Sequence, residues 1–208
     1  MAGENMPGLP PRPDSQTGQP RPPAAPVQYR GGEAEKTPSR VPDPPEGQGP
    51  VLECYRESKR SVWLSAPIPI VLLLVVFILD SGFEALTYWF TWAILIPYFA
   101  FLVYKGRSDV LTAGADWVQF KGHWVRTYEL ISVKYAVRGQ GLSHEVVLTD
   151  RNGGIGIPLR LIQSNPRLWD YVYLGIRHSV ANGAKTNAAL RNAFPELATD
   201  APNASGDR

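Results

Sequence analysis

The sequence predicts a membrane α-helical hairpin of two transmembrane helices, followed by a small α+β domain and preceded by a disordered tail. Three observations predict it. Two long uncharged apolar runs are separated by five residues, the first quarter is dense in proline, and alternating apolar positions after the second run give way to one helical pattern.

Residues 1–50 hold thirteen of the twenty prolines, seven glycines and almost no large aliphatic side chains. Such a segment buries too little apolar surface to offset the entropy of ordering it, so a disordered cytoplasmic tail is expected. Pro7-Gly8-Leu9-Pro10 and Pro10-Pro11-Arg12-Pro13 have the Pro-x-x-Pro spacing that docks aromatic grooves as a polyproline helix. Composition favours a solvated tail over that role.

Residues 51–61 read as a basic juxtamembrane segment carrying Arg56, Lys59 and Arg60. Residues 62–79 follow as eighteen residues without a charge, and 85–104 as twenty. Runs of that length span about 27–30 Å as helices, the thickness of a hydrocarbon core. Neither shows the periodic polar stripe of an amphipathic helix. Trp63 lies near the entry of the first run, Tyr88, Trp89 and Trp92 near the start of the second, and Tyr104 at its end, where rings settle at headgroup level. Pro67 and Pro69 fall near the first helix start, and Pro97 predicts a kink in the second.

The connection, 80–84, is too short to cross a bilayer, so the helices must run antiparallel. Arg56, Lys59, Arg60, Lys105 and Arg107 flank the outer ends, while the connection carries only Asp80 and Glu84. Basic residues stay inside. The expected placement is multi-pass in the plasma (inner) membrane, with the lipid bilayer as partner, both termini cytoplasmic and the loop extracytoplasmic.

Residues 109–184 read as short strands closed by a helix. Asp116–Phe120 leads to a Lys121-Gly122 turn, His123–Leu130 follows, and Val133, Tyr135 and Val137 share a face before Gly139-Gln140-Gly141. His144–Thr149 precedes Asp150-Arg151-Asn152-Gly153-Gly154, a strong hairpin signal, and Ile155, Ile157 and Leu159 continue the alternation. Asn165 can cap a helix opened by Pro166, with Leu168, Val172, Ile176 and Val180 on one face beside Trp169 and Tyr173. Residues 185–208 read as a frayed, polar C-terminal tail.

Two membrane helices followed by Gly114–Val118, His123–Arg126, Val146–Gly153 and Asn165–Trp169 in this order resemble the bacterial, actinobacterial-type membrane proteins with a pleckstrin-homology-like (PH-like) domain. The resemblance covers about the last half of the chain. It implies a scaffold or interaction domain at the membrane without established catalysis. Lipid-binding members of that broad family cluster basic residues at the first hairpin. Here that hairpin offers only Lys121 and Arg126, which favours contact with a protein or loose attraction to anionic headgroups.

No catalytic constellation is apparent, so an enzyme is not expected. His123, His144 and His178 are scattered without metal-ligand spacing, the first two expected on strand faces and the third on a helix surface. The glycine pairs near 140 and 154 open no helix and are followed by no Gly-Lys-Ser/Thr, so hairpin turns explain them better than phosphate loops. Cys54 is the only cysteine, which excludes an intrachain disulfide. No cofactor or metal is implied. Residues 105–191 carry twelve basic against six acidic side chains, a charge suited to an anionic surface. The aromatics read as core or belt residues, which argues against nucleic acid. The leading expectation is a non-catalytic scaffold that meets a membrane or cytoplasmic protein partner. The alternative is a small oligomeric transport- or channel-like protein, a homo-oligomer with a cytoplasmic regulatory domain.

Overall fold

Among the described residues, the apolar runs form helix over Pro67–Ser81 and Trp89–Gly106. The computed structural model describes residues 8–29, 41–56, 67–106, 110–138 and 143–200, and the chain divides into two units, 57–109 and a second unit of 1–56 with 110–208. In the first unit, α1 covers Pro67–Ser81, a 3-10 turn covers Gly82–Leu86, and α2 covers Trp89–Gly106 with Pro97 inside it. At 1.5 Å per residue, the fifteen described residues of α1 span about 22 Å, against the roughly 30 Å of a hydrocarbon core. α2 starts four residues later than expected and spends its last positions on Lys105 and Gly106.

No helix among the described residues is long and apolar enough to cross a membrane. The expected pair of transmembrane helices is therefore corrected, and with it the multi-pass plasma-membrane placement with both termini cytoplasmic. The uncharged count at 62–79 and 85–104 measured composition, whereas the described chain breaks its α-helix at the 3-10 turn Gly82–Leu86; residues 62–66 lie outside the described residues. Lys59, Arg60, Trp63 and Arg107, with the side chain of Lys105, lie outside the described residues. Tyr88, Trp89, Trp92 and Tyr104 are exposed, as are Ile68, Leu72, Leu79 and Phe83.

The second unit contains two four-stranded sheets. In the first, β1 (Glu53–Arg56), β2 (Val110–Ala113), β3 (Trp117–Phe120) and β4 (His123–Arg126) pair antiparallel in that order. Arg56 lies opposite Val110, so the chain leaves the sheet for residues 57–109 and returns to the adjacent position. Lys121 and Gly122 join β3 to β4 with φ of 53° and 82°, the two positive values that a type I′ hairpin turn requires. The second sheet holds β5 (Ser132–Arg138), β6 (Ser143–Thr149) and β7 (Gly154–Pro158), with β6 in the middle, and a two-residue β8 (Lys185–Thr186) parallel to β5. Asp150 closes the β6–β7 turn: Oδ1 accepts from Asn152 and Gly153 N–H, and Oδ2 accepts from Arg126 N–H at 3.0 Å, tying the two sheets together.

Helix α3 (Leu159–Gln163) leads into α4 (Pro166–Ala181), followed by α5 (Ala188–Ala193) and α6 (Glu196–Asp200). Asn165 caps α4 by accepting from Arg167 and Leu168 N–H, and Pro166 occupies the first turn, where a missing donor costs nothing. Leu168, Val172, Ile176 and Val180 enter one core with Leu111, Val125, Val133, Leu148 and Ile157 from both sheets. Helix α6 is clamped to α4 by Arg177, whose Nε and Nη2 donate to the two Asp200 oxygens at 2.7 and 3.0 Å.

The α+β character is clear, but the expected single PH-like domain over 109–184 is corrected. The first sheet takes its edge strand from residues assigned to a juxtamembrane segment. The second takes β8, and the core takes α5 and α6, from the expected tail at 185–208. The disordered tail is corrected as well: residues 10–29 bond to the helices after β7, and Gly49 and Leu52 bond to Trp117 and Ala113, while 1–7 and 30–40 are outside the described residues.

Asn187 explains how the C-terminal piece is held. Its Oδ1 accepts from Tyr135 N–H at 3.0 Å and Leu190 N–H at 3.1 Å, and its Nδ2 donates to the Tyr135 carbonyl at 2.8 Å. One side chain thus extends the β5 edge and caps α5. Asn187→Ala should destabilise the unit by about 1–3 kcal/mol, since it strands partly buried backbone groups. Asn187→Asp, which keeps the acceptor and loses the donor, should fall between the two in chemical denaturation.

Candidate functional site

A proline-rich chain can present only carbonyls to its surroundings wherever proline removes the amide N–H. A surface that holds such a chain therefore needs donors, and aromatic side chains with an N–H or O–H supply them while packing against the rings. Helix α4 turns three such donors to residues 10–26. Trp169 Nε1–H donates to the Pro26 carbonyl at 2.9 Å, Tyr171 O–H to the Gly18 carbonyl at 3.0 Å, and His178 Nε2 to the Pro10 carbonyl at 2.9 Å.

The three acceptors fall in the reverse order of the three donors, so residues 10–26 run antiparallel to α4 as a strap. Further contacts continue the path. Asp170 Oδ1 accepts from Ala25 N–H at 2.8 Å, and Gln163 Oε1 accepts from both Gln28 and Tyr29 N–H at 3.0 and 2.9 Å. Between the first two anchors, Asp14 organises a loop: its Oδ1 accepts from Gln16 N–H, Thr17 N–H and Thr17 O–H. The Thr17 bonds hold the Asp14 carboxyl below its ordinary pKa. Gly18 is required at the close of this loop. Its φ is +67°, and a Cβ there would lie 2.6 Å from Leu52 Cδ1 and 2.7 Å from the Tyr171 hydroxyl.

At the far end the strap meets a buried aromatic pair. Tyr128 and His178 rings are 5.3 Å apart, and the Arg12 guanidinium sits 4.8 Å from the Tyr128 ring centroid. Because the Pro10 carbonyl can only accept, His178 carries its proton on Nε2 and presents a bare Nδ1. That atom is buried and has no hydrogen-bond partner among the described residues. Burial chiefly, with the charges of Arg12 and Arg177, holds the His178 pKa below its ordinary value, against the opposing pull of the Pro10 carbonyl and Asp200.

The residues singled out from sequence do not converge. Lys121 lies at the β3–β4 turn, with its ammonium 5.0 Å from the Phe120 ring, whereas Arg126 lies at the opposite end of β4. Arg126 pairs with Glu129 at 3.3 Å, both largely exposed, an ion pair of small energetic worth. Arg56 belongs to the β1 ladder. His178 is fully buried rather than on a helix surface. His144 accepts or donates at Nδ1 with Tyr135 O–H at 2.8 Å, but burial raises the Tyr135 phenol, the wrong direction for a base or nucleophile. Ser179 is spent between Leu130 N–H and the Thr127 carbonyl. Among the described residues, no three His, Cys, Asp or Glu side chains converge on a point that could hold a metal.

Trp169, Tyr171 and His178 were thus the residues that sequence reading missed as a site. The available signal was the Pro-x-x-Pro spacing of the same chain. No family model, no curated protein and no solved structure matches this chain.

Proposed function

We propose that this chain acts by binding, as a non-catalytic interaction module whose α4 face recognises an extended proline-rich segment. The observation that carries the proposal is that three ring donors of one helix, Trp169, Tyr171 and His178, each hold a main-chain carbonyl of residues 10–26. Donors aimed at carbonyls read backbone conformation rather than side-chain identity, which is how polyproline segments are recognised. The strap is then a ligand tethered in place, and its covalent link supplies an effective concentration on the order of millimolar.

Cutting that link tests the proposal. A protease site introduced within 30–40 and cleaved in the folded protein should free residues 8–29 to leave on dilution and to rebind saturably. The remainder should keep its cooperative unfolding transition. A cut chain that never releases the segment, or that unfolds on releasing it, would show the strap to be an ordinary part of the core.

A further inference from the structure

Resting on that reading, we infer that the groove at the His178 end takes a proline-rich peptide of a partner protein carrying arginine two residues after the proline whose carbonyl meets His178. Three anchors define the pattern. The Pro10 carbonyl is bound by His178 Nε2 at 2.9 Å, the Arg12 guanidinium lies 4.8 Å over the Tyr128 ring, and Pro13 is buried. Pro11, between them, is exposed. A polyproline helix repeats every three residues, so positions 10 and 13 share an edge that faces the protein, while position 12 can reach Tyr128 beside it. The site reads Pro-x-Arg-Pro.

The strap is built to be exchanged. Within 8–29 only Pro13 and Gly18 are buried, and the rest are half-buried or exposed. Its α4 ring contacts end on carbonyls that any extended proline-rich chain offers. The groove wall, by contrast, belongs to the bonded framework: His178 lies within α4, and Tyr128 follows Thr127, whose N–H donates to the Asp116 carbonyl at 2.9 Å. A guanidinium suits this place better than an ammonium because it stacks flat on the ring and is weakly hydrated. The stacking on Tyr128 gives this end a preference for arginine, beside the buried place that Pro13 fills.

The test uses the intact chain and fluorescent peptides with the sequence of residues 8–17, followed by anisotropy. Arg12→Ala in the chain weakens its own strap and should tighten peptide binding about two- to thirtyfold, the range of a desolvated cation–π contact. Against this variant, the peptide with arginine should bind more tightly than the same peptide with alanine by a similar factor, and lysine should fall between. Tyr128→Leu in the Arg12→Ala chain should erase that preference while the thermal transition remains cooperative. Peptides that bind equally with arginine or alanine would overturn the inference and leave the groove itself standing. Failure of every peptide to bind even the chain cleaved within 30–40 and freed of its strap would remove both. A concentration-dependent dimer dissolved by peptide would assign the groove to a second copy of this chain, against a foreign partner.

Discussion

Gly175→Ala should destabilise the second unit by about 1–3 kcal/mol, although alanine is ordinarily the better residue in the middle of a helix by roughly 0.5–1 kcal/mol. Gly175 lies in α4 where the helix crosses Thr127. A Cβ would stand 3.0 Å from the Thr127 carbonyl carbon and overlap its side chain. Thr127 cannot yield, because its N–H donates to the Asp116 carbonyl at 2.9 Å and its own carbonyl accepts from Ser179 O–H at 2.8 Å. The helix would have to lift, and the faces carrying Leu168, Val172 and Ile176 would lift with it. For a domain of this size, the loss corresponds to a fall in melting temperature of several degrees, about 2–4 °C per kcal/mol. Thr127→Ala in the same chain should recover part of it by removing the side-chain overlap. Equal melting temperatures for Gly175→Ala and the parent would show that α4 does not approach Thr127 as described.

Acid should loosen the strap. His178 has its pKa lowered in the docked state, burial being the largest cause. Once Pro10 and Arg12 leave, the imidazole gains water and returns toward about 6.5. The undocked state therefore binds more protons, so docking is fully favourable above about pH 6.5 and weakens as pH falls below it, by up to about tenfold per unit. The groups facing His178 are Arg12 from the strap, Tyr128, and Arg177 and Asp200 from the helices. Asp200 is engaged by Arg177, so it leaves little negative charge to favour an imidazolium. Asp170, whose N–H partner is Ala25, acts with the opposite sign. Its pKa is raised by burial, so its protonation favours docking, but in the carboxylate range further down. Protease cleavage within 8–29, measured against pH, should accelerate below about 6.5. His178→Gln, which retains an N–H donor and does not titrate, should flatten that rise.

Much of this architecture can be traced to particular residues in the sequence. Lys121-Gly122 and Asp150–Gly153 mark turns because their backbone demands are local. Asn165-Pro166 marks the start of α4, and Leu168, Val172, Ile176 and Val180 mark its buried face, because a period of 3.6 needs no partner to be seen. What could not be read depends on contacts distant in sequence. Glu53–Arg56 carries a half-polar pattern that becomes a strand only opposite Val110–Ala113. Lys185-Thr186 is a strand only beside Ser132 and Val133. The apolar runs were legible as apolar, but composition set neither their helical ends nor their neighbours. The site was hidden for a different reason. Trp169 and Tyr171 lie within a core helix, and their polar atoms declare a partner only once the strap is placed across them.

The position of residues 57–109 has a consequence for how this protein can vary. They depart and rejoin at the two partners of one rung, Arg56 and Val110, so the surrounding ladder fixes only where their ends sit. The entropy of closing such a loop rises slowly with its length. Lengthening, trimming or exchanging this insert should therefore be tolerated by the sheets, leaving the apolar helices and the α4 face that carries the strap open to separate selection within one polypeptide.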